Sequence, residues 1–289
     1  MPTDFLLIGA GGLVGRHLRE ALGDRRVVST YHRQGEGDGP ALDITNADAV
    51  RNAIREVRPS AILLAAADAW VERCEREPER TRRVNVDAAV VIAEEARRID
   101  ARLVVFSSDY VFDGTAGTYV EGDARHPINE YGRQKAQLED IVLATGRALV
   151  CRSSVVFGYE PRRFNYVCRL VDRLREGRPF DVASDQLITP TYAPSLAAAV
   201  VELADGGASG VVHTAGPRVL PRAEFSLMVA ETFALPTNLI HLRPTRELGL
   251  SAPRPLRSGL NVDAVTRRLG HPLIDPQRGL QELVGTGLV

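Results

Sequence analysis

Tyr131 and Lys135 stand four residues apart in the stretch Tyr-Gly-Arg-Gln-Lys. On a helix that spacing puts both side chains on one face, so an ammonium can sit beside the phenol and draw its pKa down from about 10 toward the working pH. A phenol so tuned can give a proton to a carbonyl oxygen as hydride arrives at the carbon, or take one back in reverse. Composition singles out the same lysine: of the 36 basic residues 35 are Arg, and Lys135 is the only Lys. Arginine serves for ion pairs and solubility, but it does not replace a compact ammonium of tunable pKa. The run Arg102 to Ser107 leads into Ser108 and Asp109. A hydroxyl at the carboxyl end of a parallel strand can polarise a substrate carbonyl. Period-two alternation selects Ser108 for that task and turns Ser107 away.

The segment Gly9-Ala10-Gly11-Gly12-Leu13-Val14-Gly15 follows an apolar run and opens a helical pattern. Its glycines at 9, 12 and 15 permit a tight turn, close approach of a pyrophosphate, and close packing of helix on sheet, the requirements of a dinucleotide site. Units that bind NAD place an acid about 20 residues on to hold the ribose diol. Here the chain reads Thr30-Tyr31-His32-Arg33, and the fork of Arg33 suits a 2′-phosphate instead, so NADP(H) is expected, with NAD(H) as the alternative. Asp43 and Ile44 are placed to bracket an adenine, although Asp43 in Asp-x-Thr also reads as a helix-initiating turn.

The elements that must position these groups alternate as in a doubly wound α/β sheet. Strands are predicted at 4–9, 26–31, around Leu42, and at 61–67, 102–107, 148–157 and 211–214. Helices are predicted at 13–22, 46–57, 78–99, 131–143 and 194–204. The fold class is a Rossmann-like doubly wound parallel sheet with a smaller C-terminal substrate-binding lobe. Residues 1–158, completed by 187–216, form the cofactor unit; 159–186 and 217–289 form the lobe. The loop from Asp109 to Glu130 is long for a compact domain, which points to function. The 289 residues, 44% hydrophobic and 25% charged with a net charge of -1, exclude a disordered chain and a basic nucleic-acid platform. No stretch has the apolar length of a membrane span and the Met-Pro-Thr-Asp start lacks a basic lead, so a cytoplasmic protein is expected. Cys74, Cys151 and Cys168 are far apart and the six histidines lack ligand spacing, so neither a disulfide framework nor a metal site is expected.

With these pieces in hand, the chain resembles the extended short-chain dehydrogenase/reductases, and within them the dTDP-4-dehydrorhamnose reductase family. The resemblance rests on Gly9 to Gly15, the stretch Ser-Ser-Asp-Tyr-Val-Phe-Asp-Gly from Ser107 to Gly114, Tyr131 to Lys135, Ala65 to Ala67, Val84-Asn85, and Pro190 to Pro194. It implies hydride transfer from a nicotinamide to the C4 ketone of a nucleotide-linked deoxysugar. Tyr131 would donate the proton, Lys135 would hold the cofactor ribose and tune Tyr131, and Ser108 would orient the ketone. It further implies pyrophosphate contacts from Gly12, Leu13 and Val14, adenosine-phosphate contacts from Tyr31, His32 and Arg33, adenine contacts from Asp43 and Ile44, ribose contacts from Ala65, Ala66 and Ala67, and a sugar site bordered by Asp109. The chain departs from the family pattern in carrying Ser108 for threonine, Val155 for a tryptophan that seats the sugar, and His17 for a glutamate that some members use for magnesium. It is also similar to the regulatory β-subunit of methionine adenosyltransferase, which implies the alternative of a non-catalytic NADP-binding partner protein. A reductase of another small carbonyl compound is a third option. A homodimer fits any of them.

Overall fold

Each of Phe5, Leu6, Leu7 and Ile8 is buried, as an apolar strand covered on both faces must be. This is β1 in the computed structural model, which describes residues 5–289. The chain continues through α1 (Leu13–Leu22), β2 (Val27–Thr30), α2 (Ala47–Val57), β3 (Ala61–Leu64), α3 (Val71–Arg76), α4 (Pro78–Arg82), α5 (Ala88–Arg98) and β4 (Arg102–Ser108). Then come β5 (Gly117–Tyr119), α6 (Glu130–Leu143), β6 (Ala148–Phe157), α7 (Tyr166–Arg175), β7 (Phe180–Ala183), β8 (Leu187–Ile188), β9 (Pro190–Tyr192) and α8 (Ala193–Asp205). The last elements are β10 (Gly210–His213), β11 (Leu220–Pro221), α9 (Arg222–Thr232), β12 (Ile240–Arg243), β13 (Ser258–Leu260), α10 (Asp263–Leu269) and α11 (Pro276–Gly285).

The main sheet runs β2-β1-β3-β4-β6-β10, every pair parallel, with β9 extending β6. Alternate side chains feed two cores. Phe5, Leu7, Leu63, Val104 and Leu149 pack under α1 and α8. Leu6, Ile8, Ile62, Val105 and Val150 pack under α2, α5 and α6. Because the chain winds to β2 on one side of β1 and to β3 on the other, the carboxyl ends of β1 and β3 form the switch point where such sheets bind ligands. A third core, centred on Phe157, Leu170, Phe225 and Leu280, gathers α7, α9 and α11 with the small β7-β12 and β8-β11 ladders. The Asp109–Glu130 loop is pinned by β5, which pairs with β13, and by Phe112 stacked on Tyr119 at 4.2 Å. No helix among the described residues is long and apolar enough to cross a membrane.

Two expected elements differ. The strand around Leu42 reduces to one bridge between Tyr31 and Ala41, because Pro40 precedes it and Leu42 is used to plug the core. The helix expected over 78–99 is broken by a single π turn, Arg83–Asp87, and a separate helix α3 precedes it.

Candidate active site

The glycine turn is built by contact. Gly9 has φ +92, and a Cβ there would lie 2.6 Å from the Ala66 amide; a Cβ on Gly15 would lie 2.1 Å from the Gly9 carbonyl oxygen. Both positions therefore exclude any side chain, and the turn sits tightly between β1 and the Ala65–Ala67 segment. Ala65 and Ala66 both donate their amides to the Ile8 carbonyl, at 2.9 and 3.0 Å. Gly12 caps α1 with no side-chain acceptor, and the first turn of α1 holds no acid, which leaves the Leu13 and Val14 amides and the positive helix end for an anion. The buried Nε of Arg16, one turn along, has no hydrogen-bond partner. A cavity of about 20 Å³ opens between Ala65, Ala66, Ala67, Asn85, Phe106 and Lys135. The cavity is water-sized; it is the uncapped amides and the orphaned guanidinium nitrogen that suit the phosphates of a dinucleotide.

Across the cavity, Asn129 caps α6 by accepting from the Gly132 amide, and the first two turns carry Tyr131 and Lys135. The Lys135 Nζ donates to the Phe106 carbonyl at 2.9 Å and lies 5.7 Å from the Tyr131 ring centre. Lys135 is 4% exposed, and burial pulls its pKa from 10.5 down to about 8. The Ser108 hydroxyl favours the Tyr131 phenolate, yet the phenol's pKa moves up from 10, because burial and the nearby Asp109 carboxylate oppose ionisation. The lowering of the phenol by Lys135 expected from spacing alone is therefore not found: burial sets the direction of the shift. The alternation expected at the end of β4 is present: Ser107 Oγ donates to Glu139 at 2.5 Å, whereas Ser108 faces Asp109 and the Tyr110 amide. Asp109 is itself buried beneath three serine hydroxyls, from Ser108 (2.9 Å), Ser154 (3.0 Å) and Ser258 (2.7 Å), and burial raises its pKa.

Val155 lies in the irregularity between Ser154 and Val156, where β6 pairs with β9, with φ +40, an uncommon conformation for a β-branched residue. Tyr31 packs its ring near Gly11, while His32 and Arg33 are exposed. Asp43 accepts from the Thr45 amide and hydroxyl at 2.9 and 2.7 Å, the turn geometry, and Ile44 is buried in the core under α2. His17 is buried with its Nδ1 on Glu20 at 2.8 Å, and Trp70 is 44% exposed with the Arg169 guanidinium over its ring at 5.4 Å.

Three groups escaped the sequence reading, and a fourth, Asn85, entered it only within the resemblance and without a role. Glu139, one turn past Lys135, is buried against Arg152, which donates to both its oxygens at 2.8 and 2.7 Å; an arginine inside an apolar strand was the available signal. Asn85, turned inward by the π turn, links the Asp68 backbone (2.8 Å to its amide) to Gln134 (2.8 Å), next to Lys135. Burial pushes His213, which borders Arg152, down to about 4. Arg222, held by Gln186 at 2.7 Å, makes no ion pair with a carboxylate among the described residues, and its charge reaches Asp109 and Tyr110.

The family model described as the RmlD substrate binding domain matches residues 3–288. The chain belongs to that family. The dTDP-4-dehydrorhamnose reductase of Aggregatibacter actinomycetemcomitans is 30% identical, over 96% of this chain and 97% of the relative. The β-subunit of methionine adenosyltransferase 2 from Xenopus tropicalis is 31% identical, over 91% and 81%. A crystal structure of the Bacillus anthracis dTDP-4-dehydrorhamnose reductase in complex with NADP superposes with TM-score 0.90 at 26% identity, covering 99% of this chain and all of that one. The Rossmann-like sheet and the likeness to both branches of the family, read above from motifs, stand on these findings.

Proposed function

We propose that the protein is an NADP(H)-dependent reductase of a nucleotide-linked 4-keto-6-deoxysugar, a cytoplasmic oxidoreductase able to use NAD(H) as the alternative. The observation that carries this reading is the convergence of Ser108, Tyr131 and Lys135 at the carboxyl end of the sheet beside an uncapped glycine turn. Gly9, Gly12, Leu13, Val14 and Gly15 would hold the dinucleotide, with Tyr31, His32 and Arg33 at its adenosine end and Ala65, Ala66, Ala67 and Lys135 at its ribose. The nicotinamide supplies hydride. Ser108 orients the ketone oxygen, and Tyr131, whose raised pKa keeps the phenol protonated at neutral pH, delivers the proton to it. Lys135, with a pKa of about 8, is matched to return that proton. Asp109 and Val155 border the sugar, and Arg222 supplies positive charge for a nucleotide diphosphate. The division into a cofactor unit (1–158 with 187–216) and a substrate lobe (159–186 with 217–289) belongs to this proposal. So does a homodimer.

The test is oxidation of NADPH, and separately NADH, with dTDP-4-dehydro-6-deoxysugars, followed at the nicotinamide absorbance. Turnover supports the reductase. Firm NADPH binding with no turnover of any such sugar favours the second reading, a regulatory NADP-binding partner, which the 31% identity to the methionine adenosyltransferase β-subunit supports.

A further inference from the structure

The end of β2 lacks an acid, but the loop that follows brings one back to the same place. One Glu36 oxygen accepts from the Arg33 amide at 3.3 Å, and the other pairs with Arg162, which lies between β6 and α7. A Cβ on Gly11 would lie 3.7 Å from the Glu36 carboxylate and 3.3 Å from the Tyr31 ring. The loop reaches this position by lying on Tyr31: a Cβ on Gly37 would be 2.2 Å from that ring, so a side chain there would displace the ring or the loop. Glu36 is therefore fixed between the glycine turn and the end of the second strand, the region in which Rossmann units receive the adenosine ribose, and where an acid accepts from the ribose hydroxyls.

We propose that Glu36, held in place by Arg162, is the residue that sets dinucleotide choice in this protein, accepting the adenosine ribose hydroxyls and opposing a 2′-phosphate. The charges around that phosphate would be one carboxylate, Glu36, against two guanidiniums, Arg33 and Arg162, so Arg33 does not decide the matter alone. A phosphate monoester carries about −1.5 to −2 charges near neutral pH, so an added like charge beside it weakens binding and a removed one strengthens it. Arg162 acts twice, by neutralising Glu36 and by attracting the phosphate. Its loss shifts the balance away from NADPH.

This inference rests on the dinucleotide reading above, and its test measures binding rather than turnover. NADPH and NADH are titrated separately into the wild type, Glu36→Gln and Arg162→Met, with nicotinamide fluorescence as the readout. Glu36→Gln is expected to raise the NADPH-over-NADH affinity ratio about tenfold, equivalent to about 1.4 kcal/mol, and Arg162→Met to lower it. A ratio unchanged within about twofold in Glu36→Gln, or moved toward NADH, with both dinucleotides still bound, overturns the assignment and leaves the reductase standing. A wild type that binds neither dinucleotide overturns both.

Discussion

Replacing Lys135 by methionine should make the protein more stable and inactive at once. Lys135 is 4% exposed, its ammonium donates to the Phe106 carbonyl, and burial takes its pKa from 10.5 to about 8. At about 1.4 kcal/mol per unit, keeping this group charged in the fold costs about 3 kcal/mol at neutral pH. Methionine fills a similar volume without charge. It forfeits a hydrogen bond worth about 1 kcal/mol, so a net gain of about 2 kcal/mol is expected at pH 7. The sign with pH follows from linkage. Because the folded pKa lies below the unfolded one, the penalty is full below pH 8 and is relieved as pH rises from 8 to about 10.5. The advantage of Lys135→Met should therefore be largest at pH 7 and shrink by pH 10. Urea melts of both proteins at these two pH values, without dinucleotide so that ligand binding does not enter, measure it. A variant less stable than wild type at pH 7, or a difference that does not change with pH, refutes the reasoning.

Glu139→Leu strands the Arg152 guanidinium, which is 2% exposed, without its carboxylate and should cost about 3–5 kcal/mol. The double variant Glu139→Leu/Arg152→Met should recover most of that loss, and thermal melts read both. Ser108→Ala should cut kcat at least about a hundredfold with dinucleotide affinity unchanged, whereas Ser108→Thr, which keeps the hydroxyl, should stay within about tenfold of wild type in steady-state kinetics.

The sheet was legible because its strands announce themselves: Phe5–Ile8 and Ala61–Leu64 are apolar on every residue, and the glycines between strand and helix mark the switch point. Tyr131, Lys135 and Ser108 were legible because helix and strand periodicities decide which residues share a face. The π turn at Arg83–Asp87 was not, since it depends on Asn85 finding Asp68 and Gln134, partners 17 and 49 residues away. Nor was the direction of the Tyr131 shift. Spacing reveals the neighbouring ammonium but not the burial or the Asp109 carboxylate that raise the phenol. Glu36 escaped for a similar reason: local spacing places it in a polar loop, and only the folded path over Tyr31 returns it to the glycine turn.

The most direct measurement compares wild type with Tyr131→Phe, pairing NADPH titration with steady-state reduction of a dTDP-4-dehydro-6-deoxysugar. If Tyr131 is the proton donor, the variant binds NADPH within about threefold of wild type and loses about a thousandfold in kcat, because only the proton transfer is removed. Turnover within about tenfold of wild type would contradict the account.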